Sequence, residues 1–491
     1  MGDQTTGAAP TPNPPAAATP AATPAALAKR TRLTALIVAC ALFMQNLDST
    51  VISTALPTMA RAFGAEPTHM NVALTSYLLS LAVFIPCSGW MADRYGTRTV
   101  FRAAIVVFTL GSVLCGSADS LAFLVCARIL QGLGGAMMVP VGRLLLLRSV
   151  PKSELVAAMA WLSTPALLGP VLGPPLGGFI VTYFDWRWIF GINIPIGLLG
   201  ITLVSLFVED VREPGGAGFD FRGFALSSVA LGSLMFGLET IGRGVVPRVF
   251  SLTALGLGVG AGLLYGWHAR VHPRPLIDLT LFDIRTFTVA MTAGTLFRIG
   301  IGAIPFLLPM MLQLTFDRSA VESGMITFAS SLGALVMKPA AVTALRRFGF
   351  RNTLVYNAAL SAVLLALCAG FDPGWPLWLI YGVLLTGGFF RSLQFTAYNA
   401  LAYADVPRER MSAATSFYSA MQQISLTLGV SAAAASLTIT MALSGHTEPL
   451  LADFAAAFLV VSFISLTSGP VALMMPRNSA GELSGHRHRE G

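Results

Sequence analysis

The chain has 491 residues, 55% of them hydrophobic and 11% charged, with a mean hydropathy of +0.72. A soluble domain carries roughly 25% charged residues, so this composition excludes a globule coated by its own charge and leaves a polytopic membrane protein. The net charge of +8 is spread in twos and threes between apolar runs, which excludes the basic face or tail of a nucleic-acid binder. Cys40, Cys87, Cys115, Cys126 and Cys368 all fall inside apolar runs, where each behaves as a small buried hydrophobe, and no disulfide framework is implied.

Residues 1–32 are mostly Ala, Pro and Thr and close on Lys29, Arg30 and Arg32. Such a segment cannot bury enough surface to fold and reads as a disordered cytoplasmic tail. The run from Leu33 to Leu56 is too long for a signal-peptide core and lacks a small-residue cleavage site behind it. It reads as the first span. At about 20 apolar residues per crossing, further spans follow near 72–92, 100–118, 121–147, 154–182, 188–208, 222–241, 249–268, 286–313, 321–344, 353–371, 375–402, 410–442 and 453–475. With the amino terminus inside, only Arg61, Arg187, Arg243, Arg248 and Arg318 fall in outer loops, and most of the 31 Lys and Arg sort to the cytoplasmic side. That is the bias of the positive-inside rule. Both termini are then cytoplasmic and the span count is even, with 12 the alternative to 14.

An internal repeat divides the chain. Asp93-Arg94-Tyr95-Gly96-Thr97-Arg98 after span two is echoed by Arg346-Arg347-Phe348-Gly349-Phe350-Arg351 after span ten, and Val150-Pro151-Lys152 after span four by Val406-Pro407-Arg408 after span twelve. The two shifts are nearly equal, so spans one to six align with nine to fourteen. The expected organisation is an amino-terminal six-helix half (33–208), an inserted helix pair with its loops (209–285), a carboxy-terminal half (286–475) and a cytoplasmic tail (476–491). Parallel repeats of this kind place a site at the midplane between halves.

Several stretches together resemble one family. Gly89-Trp90-Met91-Ala92-Asp93-Arg94-Tyr95-Gly96-Thr97-Arg98 is similar to the loop signature of the major facilitator superfamily. Leu47-Asp48-Ser49-Thr50-Val51, Arg128-Ile129-Leu130-Gln131-Gly132 and Gly169-Pro170-Val171-Leu172-Gly173-Pro174-Pro175-Leu176-Gly177-Gly178 resemble the first-, fourth- and fifth-span signatures of its drug:proton antiporters, and Trp186-Arg187-Trp188 with Asn193 and Pro195 the sixth-span entry of the 14-helix branch. The resemblance runs over residues 33–475. It implies an all-α polytopic protein of the major facilitator fold with 14 transmembrane helices, acting as a proton-coupled multidrug exporter of the bacterial inner membrane. It also implies no cofactor beyond the proton gradient, no metal, and as partners a small-molecule substrate, protons and the lipid bilayer, with a periplasmic adaptor and outer-membrane channel as further candidates.

The residues carry their own physical argument. Asp48 lies deep in span one, where an ionisable side chain costs on the order of 2.5–3.5 kcal/mol on insertion scales. In a cavity open alternately to two solutions it could take up and release a proton; the alternative is a polar packing contact. Asp48→Asn is nearly isosteric and is expected to keep the fold. Arg128 never loses its proton, so it is no carrier; the family implies a role in proton coupling, and a purely structural arginine is the alternative. Asp93, beside Arg94 and Arg98 and between Gly89 and Gly96, can pair with a helix N-terminus of the other half and latch one conformation. Pro170 and Pro174 among Gly169, Gly173, Gly177 and Gly178 suggest a kinked helix sealing the interface between halves, which the family associates with antiport. Lys338 is near enough to Arg346 to snorkel to the inner face, while Arg298 and Arg391, the latter followed by Gln394 and Asn399, are deep. Arg298, Lys338, Arg391, Gln394 and Asn399 are the candidate substrate cavity. Cations without acids nearby favour an organic anion, such as a di- or tricarboxylate or its metal complex, as the second substrate class; a symport importer shares the fold. The longest interior stretch between spans, about Ala269 to Arg285, is too short for a catalytic domain of ~50 residues, so an enzyme is not expected.

Overall fold

The structure is a computed structural model that describes residues 24–64, 70–208, 218–241, 246–446, 448–476, 480 and 483. Each apolar run is helical, because in lipid only a helix or a closed barrel satisfies every backbone polar group. In chain order the helices are α1 (Pro24–Phe63), α2 (Val72–Tyr95), α3 (Thr97–Gly116), α4 (Leu121–Ser149), α5 (Leu155–Tyr183), α6 (Trp188–Phe207) and α7 (Phe221–Ile241). There follow α8 (Arg248–Val271), α9 (Arg285–Leu314), α10 (Ala320–Val336), α11 (Ala340–Ala366), α12 (Leu377–Leu401), α13 (Met411–Ser444) and α14 (Leu451–Leu473). No strand occurs among the described residues, and 11 of the helices are long and apolar enough to cross a bilayer by composition alone.

Two boundaries differ from the sequence reading. Residues 24–32 are helical rather than part of the tail: Pro24 sits at the first helical position, where its missing N–H costs nothing, and the following alanines are the best helix formers. Residues 1–23, 477–479, 481–482 and 484–491 of the expected tails lie outside the described residues. The tenth span also runs on past α10 through a turn at Met337–Pro339 into the start of α11, and the eleventh begins where the backbone breaks at Gly349.

The repeat is visible in the backbone. Pro86 sits in a tight turn within α2, and Gly96 ends that helix at φ 89°. Pro339 stands in the corresponding turn after α10, and Gly349 breaks α11 at φ 72°. A residue with a Cβ pays for such a φ in steric clash. The same helix pairs close in each half: α1 packs on α5 and α9 on α13, α2 on α4 and α10 on α12. The approach is closest at glycine. A Cβ on Gly302 would strike the Leu426 carbonyl of α13, and one on Gly429 the Ile299 carbonyl of α9.

The halves touch where α13 meets α2 and α4, and where α5 meets α10 and α12. Toward the end of the bundle that carries Asp93, buried apolar side chains of both halves merge into one cluster that includes Leu144, Leu155, Phe287 and Leu401. Toward the opposite end they separate into two, one around Val51 and Trp186 and one around Leu307 and Phe454. The bundle is therefore closed at the Asp93 end. The α7–α8 pair lies over this seam: Ser228 Oγ donates to the Val83 carbonyl of α2 at 3.3 Å, and from α13 Ser431 Oγ donates to the Leu238 carbonyl at 2.6 Å.

Gly96→Ala and Gly349→Ala are each expected to lower stability by about 1–2 kcal/mol, the cost of holding a side chain in the left-handed region. Gly260→Ala in α8, where a Cβ meets open space, is expected to be neutral or stabilising by up to about 1 kcal/mol. Thermal unfolding of the purified protein in detergent compares the three.

Candidate functional site

Asp48 and Arg128 are both fully buried and form an ion pair inside the first half, Arg128 Nη1 donating to Asp48 Oδ2 at 2.6 Å. α1 and α4 bring them together, and the rest of the site comes from their neighbours. Arg128 Nη1 also donates to Gln131 Oε1 at 2.6 Å and its Nε to the Ala73 carbonyl of α2 at 3.2 Å, while the guanidinium lies 4.3 Å from the centre of the Tyr77 ring. The second carboxylate oxygen accepts from Gln131 Nε2 and from Asn193 Nδ2 of α6, each at 2.8 Å. Ser112 of α3 accepts from the same two amides, at 2.7 and 3.1 Å. Five helices thus converge on one carboxylate. Arg128 Nη2 and Asn193 Oδ1 are among the buried atoms here that have no hydrogen-bond partner. Such atoms are uncommon in folded proteins and call for a reason.

Gln131, Asn193 and Ser112 are not among the candidate site residues that the sequence offers. Gln131 and Asn193 each fall within a motif of the resemblance, and Gln131 also lies one helical turn after Arg128 and so on the same face.

At the closed end Asp93 joins both halves. Its Oδ1 accepts from Arg148 at 2.8 Å and its Oδ2 from Ser412 Oγ at 2.5 Å. Ser412 lies in the first turn of α13, the N-terminal partner the sequence reading expected. Gly89 makes the approach possible, since a Cβ there would stand 2.7 Å from the Ser412 carbonyl oxygen. Beside it Ser88 and Ser416 share a hydrogen bond at 2.9 Å. Arg98 donates to the Ser205 carbonyl of α6, and Arg94 is exposed.

The glycines of α5 take a different place from the one expected. Gly169 and Gly173 face α1 within the first half rather than the other half: a Cβ on Gly169 would meet Asn46 and Leu47 at 2.8 Å, and one on Gly173 would meet Thr50. Gly177 is buried and Gly178 half-buried with open space beside it. The helix runs without a break through Pro170 and Pro174, whose side chains lie outside the described residues. Close packing of α1 against α5 is what sets Asp48 at its depth.

The candidate cations of the second half separate into two groups. Lys338 does not snorkel. It is buried and donates to Thr396 Oγ1 of α12 at 3.1 Å, the hydroxyl of the neighbouring helix taking its ammonium inside the bundle. Arg391 reaches back from α12 to Ser330 Oγ of α10 at 2.6 Å, so these two tie α10 to α12. Gln394 accepts from Asn357 at 2.8 Å and donates to the Leu354 carbonyl at 2.9 Å; Asn399 is buried with its Oδ1 unpartnered. Arg298 stands apart, donating to Tyr418 Oη with its guanidinium 4.6 Å from that ring's centre, while its Nη1 is buried without an acceptor.

Arg143 of α4, taken from sequence as a basic residue at the cytoplasmic end of its span, is also part of this place. It is buried, lies 5.4 Å from the Tyr418 ring centre, and donates to Tyr403 Oη at 3.1 Å and Gln422 Oε1 at 3.2 Å. Two arginines from opposite halves thus flank one tyrosine, and the hydrogen bonds described for them end on hydroxyls and an amide.

A family model described as Major Facilitator Superfamily matches residues 38–297 and 290–491. The chain is 38% identical over 440 residues, 90% of this chain and 93% of the relative, to a protein of Pectobacterium atrosepticum named putative multidrug resistance protein MdtD. It is 41% identical to the protein of that name from Serratia proteamaculans, over 81% of this chain and 83% of the relative. Among solved structures it resembles the human organic anion transporter MFSD10 (TM-score 0.65, 15% identity, 90% of this chain and 99% of that one). It also resembles the proton:xylose symporter XylE (TM-score 0.63, 13% identity, 93% and 98%). At these identities the two structures show the shared fold.

The ion pair revises one expectation. Asp48→Asn removes the counter-charge of a buried guanidinium, a change that costs about 3–5 kcal/mol, so the near-isosteric amide does not leave stability unchanged. Arg128→Gln is expected to cost a similar amount, and the double variant clearly less than the sum of the two. A double-mutant cycle on thermal unfolding reads the coupling directly.

Proposed function

The chain belongs to the major facilitator superfamily of membrane transporters, and on that premise we propose that it is a proton-coupled antiporter exporting small amphipathic or toxic organic compounds by alternating access. The observation that carries this reading is the fully buried Asp48–Arg128 pair within a five-helix hydrogen-bond network. In the closed-at-Asp93 state the carboxylate lies against the guanidinium at 2.6 Å. Protonation of Asp48 would leave Arg128 as a lone buried charge, which is strongly unfavourable. The helices that hold the pair, α1 and α4, then gain free energy by moving, and a proton gradient acting on one carboxylate becomes a change in how the halves meet. The Asp93–Ser412 latch and the shared α2–α13 packing are the contacts such a change must release. The orientation that goes with this reading puts the Asp93 end in the cytoplasm of an inner-membrane protein, in keeping with the sorting of basic residues.

A second substrate class rests on Arg143 and Arg298. A buried cation without a carboxylate favours an anionic group, so the alternative cargo is an organic anion bound at the seam beside Tyr418.

In proteoliposomes loaded at equal folded protein, Asp48→Asn is expected to lose gradient-driven export while Asp48→Glu, which keeps the carboxyl, retains part of it. Equal gradient-driven export by Asp48→Asn and the parent would overturn proton coupling through this residue. Arg298→Gln is expected to leave export of a cationic dye unchanged or improved, and to weaken export of an organic anion about tenfold or more, the scale of one lost charge-assisted hydrogen bond. If dye export falls and the parent exports no anion, the anion reading fails.

A further inference from the structure

Outside the transport path, the α7–α8 pair carries a compact cluster of donor groups at the Asp93 end of the bundle. Asp220 stands just before α7 and caps it, its Oδ1 accepting from the Gly223 N–H at 2.8 Å and its Oδ2 from the Leu276 N–H at 3.3 Å. His268, in the last turn of α8, places Nε2 at 2.9 and 3.0 Å from the two carboxylate oxygens. His272 follows at i+4, on the same face of α8, and stacks on His268 with ring centres 5.1 Å apart and 29° between planes. One donor atom from each of Asp220, His268 and His272 lies within 4.8 Å of the others. Capping accounts for Asp220, which is buried, but not for two imidazoles brought side by side over its carboxylate.

We propose that Asp220, His268 and His272 bind a divalent transition-metal ion of the zinc class. Two imidazoles and one carboxylate are the donors such ions take, whereas Mg²⁺ and Ca²⁺ prefer an all-oxygen shell. Ligand distances of about 2.0–2.2 Å around a tetrahedral ion set donors roughly 3.4 Å apart. His268 and Asp220 are already near that separation, and His272 reaches it by a shift of at most about 1.4 Å. His272 is free to make the shift, since its one described hydrogen bond is long, Nδ1 accepting from the Arg274 N–H at 3.3 Å. The Gly223 and Leu276 N–H groups fix the carboxylate from outside, the role of a metal site's supporting shell. Bound there, the ion clamps the segment entering α7 to the end of α8. Phe219, next to Asp220, packs on Trp90 of α2 with ring centres 4.8 Å apart, so the clamp also stiffens the contact beside the Asp93 latch.

The test uses the full chain in detergent with any affinity tag removed, chelator-treated, and carrying His486→Ala and His488→Ala so that the tail cannot compete. Zinc titrated by calorimetry is expected to bind one equivalent in the micromolar range and to raise the melting temperature by several degrees, with millimolar Mg²⁺ doing neither. His272→Ala is expected to keep the metal-free melting temperature and lose at least tenfold in zinc affinity. His268→Gln is expected to lose the affinity as well, and if it fails to fold, His272→Ala decides alone. No saturable zinc binding, or unchanged affinity in His272→Ala, would overturn the site and leave Asp220–His268 as a helix-capping ion pair only.

Discussion

A guanidinium that keeps its proton and has no exposure to water must be given a counter-charge, and Arg128 imposes that condition on the whole first half. Asp48 answers it from α1, but only because Gly169 and Gly173 let α1 lie against α5 at backbone distance. Gln131 and Asn193 then occupy the carboxylate edge that Arg128 does not reach, and Ser112 accepts from both amides, so that α3 and α6 are drawn to the same point. The desolvation of both charges is offset by short bonds from several directions rather than by one contact, which is the circumstance in which a buried ion pair is tolerable. The seam between halves follows the opposite rule. Arg143 and Arg298 meet there over an aromatic ring, and the hydrogen bonds described for them end on hydroxyls and an amide.

The two halves repeat a plan rather than a set of side chains. Proline turns and left-handed glycines recur at matched places, and the same helix pairs close in each half, yet the ion pair belongs to the first half alone, while Tyr418 of the second is flanked by one arginine from each half. Chain connectivity and backbone satisfaction constrain the plan, while the buried charges differentiate it. The closed end shows the economy of the arrangement. A single carboxylate, Asp93, accepts from a residue of its own half and a residue of the other, and the glycine beside it allows the helices to meet at that height.

Much of this was legible in the sequence because membrane helices announce themselves through length and hydropathy. Gly96 and Gly349 were recognisable by their matched loops, and Asp48 and Arg128 because charge inside an apolar run has few reasons to exist. What escaped notice depends on rotation about a helix axis, which apolar composition on every face does not encode. Arg143 sits six residues before the end of α4 and reads as an interfacial cation, yet its side chain turns inward to Tyr403 and Gln422. Lys338 had the reach to leave the membrane, and a hydroxyl on the neighbouring helix kept it. Arg298, Lys338 and Arg391 form one list in a sequence, and only packing separates the pair that braces α10 and α12 from the one at the seam. The α5 glycines were legible as close packing but not as packing onto α1, since a small residue says how near a neighbour comes and not which neighbour it is.

The α7–α8 pair touches both α2 and α13, the two helices that must slide past each other if the halves turn. A rigid weld across that line would resist any turn, but the contact is made by hydroxyls with somewhere else to go. Ser431 Oγ already lies 3.1 Å from the Thr427 carbonyl of its own helix while donating across to Leu238, and Thr427 rests on the soft thioether of Met235 at 3.3 Å. When the partner moves off, the proton swings to a carbonyl one turn back, and no polar group is stranded in hydrocarbon. If the halves turn, the inserted helices act as a bearing surface, because their grip is exchanged at almost no cost in hydrogen bonding.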